Sequence, residues 1–289
     1  MAPPVTAEYH VHLEGTLRPA TLRKLAARHG IMLSDRFAGD TVELTDFDDF
    51  IACYLLGLEP LRTSADFSDA VVAYAQELAD QGVTYVEMTT TAYAHHERGI
   101  PRSEYVEGLI DGRRRAASLG VDVRWIVDIP RNVESPELGY TADFVCGPDA
   151  PDGTIAIGLG GNELDTPAQL WMDSFDRARA AGLLVVLHAG ETQGPESIWN
   201  ALECRADRIG HGISCVRDDE LVRRLVDEQI MLEVCPTSNV KTRVVRSYDE
   251  HPVHEMIARG LHVTINSDDP GYFGASLSEE VARVYTALT

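Results

Sequence analysis

The chain is poor in positive charge. Lysine plus arginine number 25 against 46 aspartate plus glutamate, for a net charge of −21, and only two of the basic residues, Lys24 and Lys241, are lysines. A field of that sign repels polyanions, which argues against nucleic acid and anionic membrane surfaces as partners. Cysteine is also scarce. The five (Cys53, Cys146, Cys204, Cys215 and Cys235) are an odd number, widely spaced and without a C-x-x-C pair. That pattern fits neither a disulfide framework nor a cysteine zinc knuckle, and it points to a reducing compartment. No window approaches ~20 uninterrupted apolar residues, and the opening MAPPVTAEYHVHLEG lacks the basic and apolar regions of a secretory signal, so a cytoplasmic protein is expected. No internal repeat, low-complexity tract or linker divides the chain. What remains is ordinary globular material, 44% hydrophobic and 25% charged over 289 residues, enough for one large core.

Eight short β-branched or apolar runs stand out: EYHVHLE, VTYVEMT, VDVRWIVDI, TIAIGLG, LLVVLHAG, DRIGH, IMLEVC and HVTINS. Between them lie amphipathic stretches such as PATLRKLAARHG, with proline near its first turn and glycine just past its end. Strand then helix, eight times over, predicts an α/β fold of the (β/α)8 TIM barrel type, a single domain over residues 1–289. About seventy residues separate the first two strands, more than one connecting helix needs. This predicts a helical insertion after strand 1, at about residues 31–80, that roofs the barrel mouth with the acidic, aromatic TDFDDFIACYLLGLEPL. In that stretch Asp46, Asp48 and Asp49 read as a helix N-cap and a solvated face. After the last strand only SLSEEVARVYTALT follows, inside what should be the eighth helix; either the barrel closes economically or a C-terminal piece is missing.

On this fold, active sites form at the C-terminal ends of the strands. His10 and His12, two apart on the first strand, share one face and aim into the barrel, a two-ligand clamp for a metal. His188 ends the fifth strand with Glu191 three residues on, His211 ends the sixth, and Asp268 and Asp269 follow the eighth. Each residue alone has a bland reading, a rim histidine bonded to a carbonyl or an aspartate capping a helix. Four strand ends on one rim, each carrying metal- or proton-capable residues, do not. Nitrogen and oxygen ligands without cysteine suit zinc with an open position for water, whose pKa the metal lowers from 15.7 toward ~7. One carboxylate then takes the water's proton and another delivers a proton to the leaving side. The chemistry is metal-assisted hydrolysis or deamination.

The motifs HVHLEGT, LHAGET, RIGHGI and INSDDP, in this order over nearly the whole chain, resemble the adenosine deaminase family. The resemblance implies one Zn²⁺ per chain held by His10, His12, His188 and Asp268, and Glu191, His211 and Asp268 as catalytic residues. Glu191 would protonate purine N1, and His211 would orient and help deprotonate the water that attacks C6. Asp269 would face N7, and the Gly161 amide N3. Protonating N1 makes C6 electrophilic, so Glu191 must be neutral, the direction in which burial beside other carboxylates pushes it. Two other zinc chemistries fit poorly. Cys235-Pro236 reverses the P-C-x-x-C order of nucleic-acid deaminases and lacks the second cysteine. The fourth strand, TIAIGLG, has no lysine to bridge two metals. A dinucleotide site is also unsupported, because the G-x-G-x-x-G spacing is absent.

The substrate is set by the group on N9. Glu14 stands where adenosine deaminases commonly carry an aspartate reaching the ribose 5′-hydroxyl, and with His12 it belongs to the implied substrate site. HLEGTL and NSDDPGYFG resemble adenine deaminases, GLGGNE resembles enzymes that accept nucleosides, and HAGETQGPESIW with LEVCPTSNVKTRVVR and the DIP strand resembles aminodeoxyfutalosine deaminases. The leading expectation is a small-molecule partner, adenosine or a close nucleoside relative, with adenine or aminodeoxyfutalosine as alternatives and a non-catalytic metal-binding barrel as the reading from another class. Phosphorylated nucleotides are disfavoured by the charge and by the lack of a glycine-rich phosphate loop. His95 and His96, in AHHERGIP, read as an exposed turn without a role.

Overall fold

In the computed structural model, residues 5–133 and 137–286 are described; the first four and last three residues, part of the terminal stretches discussed above, lie outside them. Eight parallel strands form one sheet in sequence order: β1 Ala7–His12, β2 Tyr85–Thr90, β3 Asp122–Pro130, β4 Thr154–Gly160, β5 Leu184–Ala189, β6 Arg208–His211, β7 Met231–Val234 and β8 His262–Ile265. The sheet closes beyond β8, where Val11 pairs with Asp268: the His12 amide donates to the Asp268 carbonyl at 2.8 Å and the Asp268 amide to the His10 carbonyl at 3.1 Å. Helices between the strands complete a (β/α)8 barrel.

The stretch after β1 holds three helices, α1 Pro19–His29, α2 Phe47–Gly57 and α3 Ser64–Asp80. Pro19 occupies the first turn of α1 and Gly30 ends it at φ 63°, as its sequence signals predict. In α3 the Asp66 carboxylate accepts from the Thr63 amide at 2.9 Å and the Thr63 hydroxyl at 2.8 Å, which starts the helix cleanly. Its face of Phe67, Val71 and Leu78 is fully buried. Gly108 and Gly112, on the helix Arg102–Ser118, have no room for a Cβ because Phe67 and Val71 lie against them. Within 31–80, then, α3 lies in the outer ring of the barrel.

α2 stands over the mouth. Asp46 caps it, accepting from the Asp49 amide at 2.9 Å. Phe50 anchors it against Phe273, ring centroids 5.0 Å apart, and Tyr272, 6.1 Å. Strand alternation sets the interior: Ile126, Ala156 and Val186 pack together inside the barrel. Two residues further along the same strands, Asp128, Gly158 and His188 face the same interior.

Candidate active site

At the C-terminal rim, β1, β5 with the turn after it, β6 and the turn after β8 bring six side chains together. His10 Nε2 and His12 Nε2 lie 3.4 and 3.3 Å from Asp268 Oδ1, and His12 Nε2 is 3.2 Å from His188 Nε2. His211 Nε2 is 3.8 Å from Asp268 Oδ2 and 3.7 Å from Glu191 Oε2. Asp268 and His211 hold left-handed backbone, at φ 63° and 61°, which residues other than glycine adopt at a cost that functional geometry repays. Gly15, in the HLEGT turn, is required by packing, because a Cβ there would stand 1.7 Å from Asp269 Oδ1.

Second partners fix which ring nitrogens face inward. His10 Nδ1 lies 2.9 Å from the buried Glu233 carboxylate, and His188 Nδ1 donates to the Leu159 carbonyl at 3.0 Å. Their Nε2 atoms are left for the centre, the arrangement in which an outer hydrogen bond orients a metal-binding histidine. His10 Nε2 and Asp268 Oδ1 are buried without a hydrogen-bond partner. Orphaned atoms so placed cost free energy unless something else binds them. One atom each from His10, His188, His211 and Asp268 lies within 4.8 Å of the others, and His12, Asp268 and Asp269 form a second such group. The donor set suits a divalent cation of the zinc type.

The electrostatics follow from burial and crowding. Burial, with Asp268 and Glu163 nearby, holds the Glu191 carboxyl well above its usual range. Burial beside Asp268 does the same to Asp269, and Asp269 Oδ1 has no hydrogen-bond partner. Burial alone would lower His12, but Asp269 and Asp268 outweigh it and raise it to about 9. Burial takes His211 down to about 3. The raised Glu191, Asp269 and His12 are the signs expected of a pocket short of positive charge, which a cation supplies in place of protons.

One cavity of about 1110 Å³ connects these groups, lined by His12, His188, Glu191, His211, Asp268 and Asp269 on its floor and by Phe50, Tyr54 and Leu55 of α2 and Leu58 just past its end above. Gly161 lines it with φ 99°, a conformation that calls for glycine. Glu14 is placed differently from the sequence reading. It is 1% exposed and does not line the cavity. Its Oε1 accepts from Thr90 Oγ1 at 2.7 Å and His95 Nε2 at 2.9 Å, and its Oε2 from Tyr54 Oη at 3.2 Å. His95 is accordingly no exposed turn residue: it is buried in the helix Ala92–Glu97, its Nδ1 accepting from Arg98 at 2.9 Å.

Three residues escaped the sequence reading. Asp128, on β3, is buried against Gly158 and Gly160, where any Cβ would meet its carboxylate, and faces the cavity. Burial raises it to about 7. Arg131 donates to the His188 carbonyl at 2.6 Å. Glu163 accepts from the backbone amides of Gly190, Glu191 and Thr192 at 2.8, 2.9 and 2.8 Å, which sets the turn carrying Glu191. The only sequence signals were an acid after β-branched residues in WIVDIP and the glutamate of GLGGNE.

A sequence profile described as adenosine deaminase matches residues 5–288. An aminodeoxyfutalosine deaminase of Streptomyces avermitilis is 42% identical over 96% of this chain and 79% of its own length. An adenine deaminase of Pseudomonas savastanoi pv. phaseolicola is 37% identical over 98% of this chain and 90% of its own. Among solved structures, an adenine deaminase from Arthrobacter aurescens superposes with a TM-score of 0.92 at 35% identity, covering 99% of this chain and 88% of that one. An amidohydrolase from Burkhoderia ambifaria with bound Zn superposes with a TM-score of 0.84 at 25% identity, covering 96% of this chain and 78% of that one.

Proposed function

Because this chain belongs to the adenosine deaminase family, hydrolases of C–N bonds in amidines, we propose that it removes the 6-amino group of a purine that carries a substituent on N9, of the aminodeoxyfutalosine kind. The observation that carries the reaction is Glu191, a buried carboxyl whose pKa burial and neighbouring carboxylates raise well above its usual range, opening into the same cavity as His12, His188, His211 and Asp268. The expectation of adenosine itself gives way here. The carboxylate that was to reach the ribose, Glu14, is already taken by Thr90, His95 and Tyr54, and the relatives above are named for aminodeoxyfutalosine and adenine. The cavity, about 1110 Å³, slightly exceeds the usual range of ligand pockets (~300–1,000 Å³) and is more than a bare base requires. Adenine is the second reading, favoured by the likeness to the Arthrobacter aurescens enzyme.

His10, His12, His188 and Asp268 would hold one zinc ion, which when bound supplies a water acidified toward neutrality. Glu191 donates its proton to N1, drawing electron density from C6. Asp269 and the Gly161 amide hold N7 and N3, so that C6 sits over the histidines. Asp268 takes one proton of the attacking water and passes it to the amino group, which leaves as ammonia; the proton remaining on the C6 hydroxyl returns to Glu191, and the purine keeps a 6-oxo group with the donated proton on N1. The cytoplasm is the place we assign, on the five unpaired cysteines. An ultraviolet assay of the zinc-loaded protein against aminodeoxyfutalosine, adenine and adenosine tests the reading. Fastest turnover of the first is expected; preference for adenine would install the second reading, and silence on all three would overturn the deaminase assignment.

A further inference from the structure

Behind His211 lies a chain of buried hydrogen bonds that the reaction above does not use. His211 Nδ1 stands 3.3 Å from Asn239 Nδ2, Asn239 Oδ1 stands 3.1 Å from His251 Nε2, and His251 Nδ1 receives the Val253 amide at 3.1 Å. All three side chains are at most 5% exposed. They come from separate places: the end of β6, the helix Pro236–Lys241 after β7, and the segment following the short helix Tyr248–Glu250.

The direction of every bond follows from the last one. A backbone N–H can only donate, so His251 Nδ1 accepts, and the proton of a neutral His251 is on Nε2. That Nε2–H donates to Asn239 Oδ1, which turns the Asn239 amide nitrogen toward His211. An amide N–H₂ also only donates, so His211 Nδ1 accepts, and the His211 proton sits on Nε2, the atom facing Glu191 and Asp268.

We propose that Asn239, backed by His251, is a positioning residue that locks His211 in the Nε2–H tautomer. His211 thus presents a hydrogen-bond donor to the reacting oxygen and has no lone pair there to bind a cation or to take the water's proton. This rests on the deaminase reading and sharpens it in two ways. Of the atoms gathered at the centre, His211 Nε2 drops out as a ligand, leaving His10, His12, His188 and Asp268. The proton of the attacking water goes to Asp268, and His211 stabilises the negative oxygen as it forms. His211 stands between the two partners with a left-handed backbone, φ 61°.

Nitrogen-15 spectra of protein labelled at histidine read the tautomer directly, in the metal-free and the zinc-loaded full chain, with His211 assigned through its own side-chain carbons. The expected result is an unprotonated Nδ1 and a protonated Nε2 in both. Asn239→Asp replaces the donor with an acceptor, so His211 should move its proton to Nδ1, and kcat should fall by about 100-fold or more while KM changes little. A protonated Nδ1 with bare Nε2 in the parent protein overturns the proposal whether or not the variant folds. So does an Asn239→Asp enzyme with the parent kcat. Absence of any aminopurine turnover would sink the deaminase reading and leave the tautomer result standing, so the two failures are distinct.

Discussion

Glu191 and Glu14 are both buried carboxyls, yet their surroundings drive them to opposite states. Glu191 is buried with carboxylates for neighbours, and its pKa is raised well above the usual range. For Glu14, burial alone would raise the pKa, but the hydrogen bonds from His95 and Thr90 outweigh it and bring the value to about 2. Glu191→Gln keeps the shape and removes the proton donor, so kcat should fall by roughly 10²–10⁴-fold while zinc content by atomic absorption stays the same; an unchanged kcat would remove Glu191 from the mechanism. Glu14 gives a pH signature instead. Its folded value lies below the ordinary 4.5, so its stabilisation is complete above about pH 4.5 and is lost as the pH falls toward 2. Glu14→Gln should therefore destabilise the protein at pH 7 in urea denaturation, and the gap to the parent should narrow by pH 3. His10, His12, His188, His211, Asp268 and Asp269 were legible in the sequence because they stand at or just past the C-terminal ends of short strands, where polarity changes abruptly, whereas Asp128 lies within the apolar run of β3 and was not. The partner of Glu14 was not: His95 lies 81 positions away, and nothing local in AHHERGIP distinguishes a buried histidine from an exposed one.

Among elements, the strands were readable in full and the stretch between β1 and β2 only in outline. Alternation and β-branching mark a strand by itself, whereas α2 and α3 are both amphipathic helices, and only their packing tells them apart. α3 lies against the helix Arg102–Ser118 and α2 over the cavity. The β5 turn depends on a neighbour in the same way. Glu163, carried by the loop after β4, accepts three consecutive backbone amides, Gly190, Glu191 and Thr192, together with the Ser197 hydroxyl. Glu163→Ala strands those donors, a loss of about 1–3 kcal/mol for a buried group left unsatisfied. It should also lower kcat more than it changes KM, because Glu191 is carried on that turn. Denaturation midpoints with steady-state kinetics check both; a variant that loses stability at unchanged kcat would mean that the turn is held by other contacts.

At the scale of the whole molecule, the closing seam of the barrel and its chemistry coincide. Each strand from β1 to β8 is laddered to the next, but among the described residues the closing seam from β8 back to β1 carries one bridge, Val11–Asp268, with the Tyr9 amide on Asn266 Oδ1 at 2.9 Å and Glu8 accepting from the Ser267 amide at 2.9 Å and hydroxyl at 2.6 Å. His10 and His12 stand on one side of that seam and Asp268 on the other. A cation held by both sides therefore ties the barrel shut, and by mass action it adds about 1.4 kcal/mol for every tenfold excess over its dissociation constant. Chelation should lower Tm by roughly 2–4 °C for each kcal/mol so removed in a chain of this size, and restored zinc should recover it. His10→Ala should have a Tm that neither chelator nor zinc moves by as much. Equal shifts in parent and variant would place the stabilising ion elsewhere, and an unshifted parent would mean that the seam holds without one.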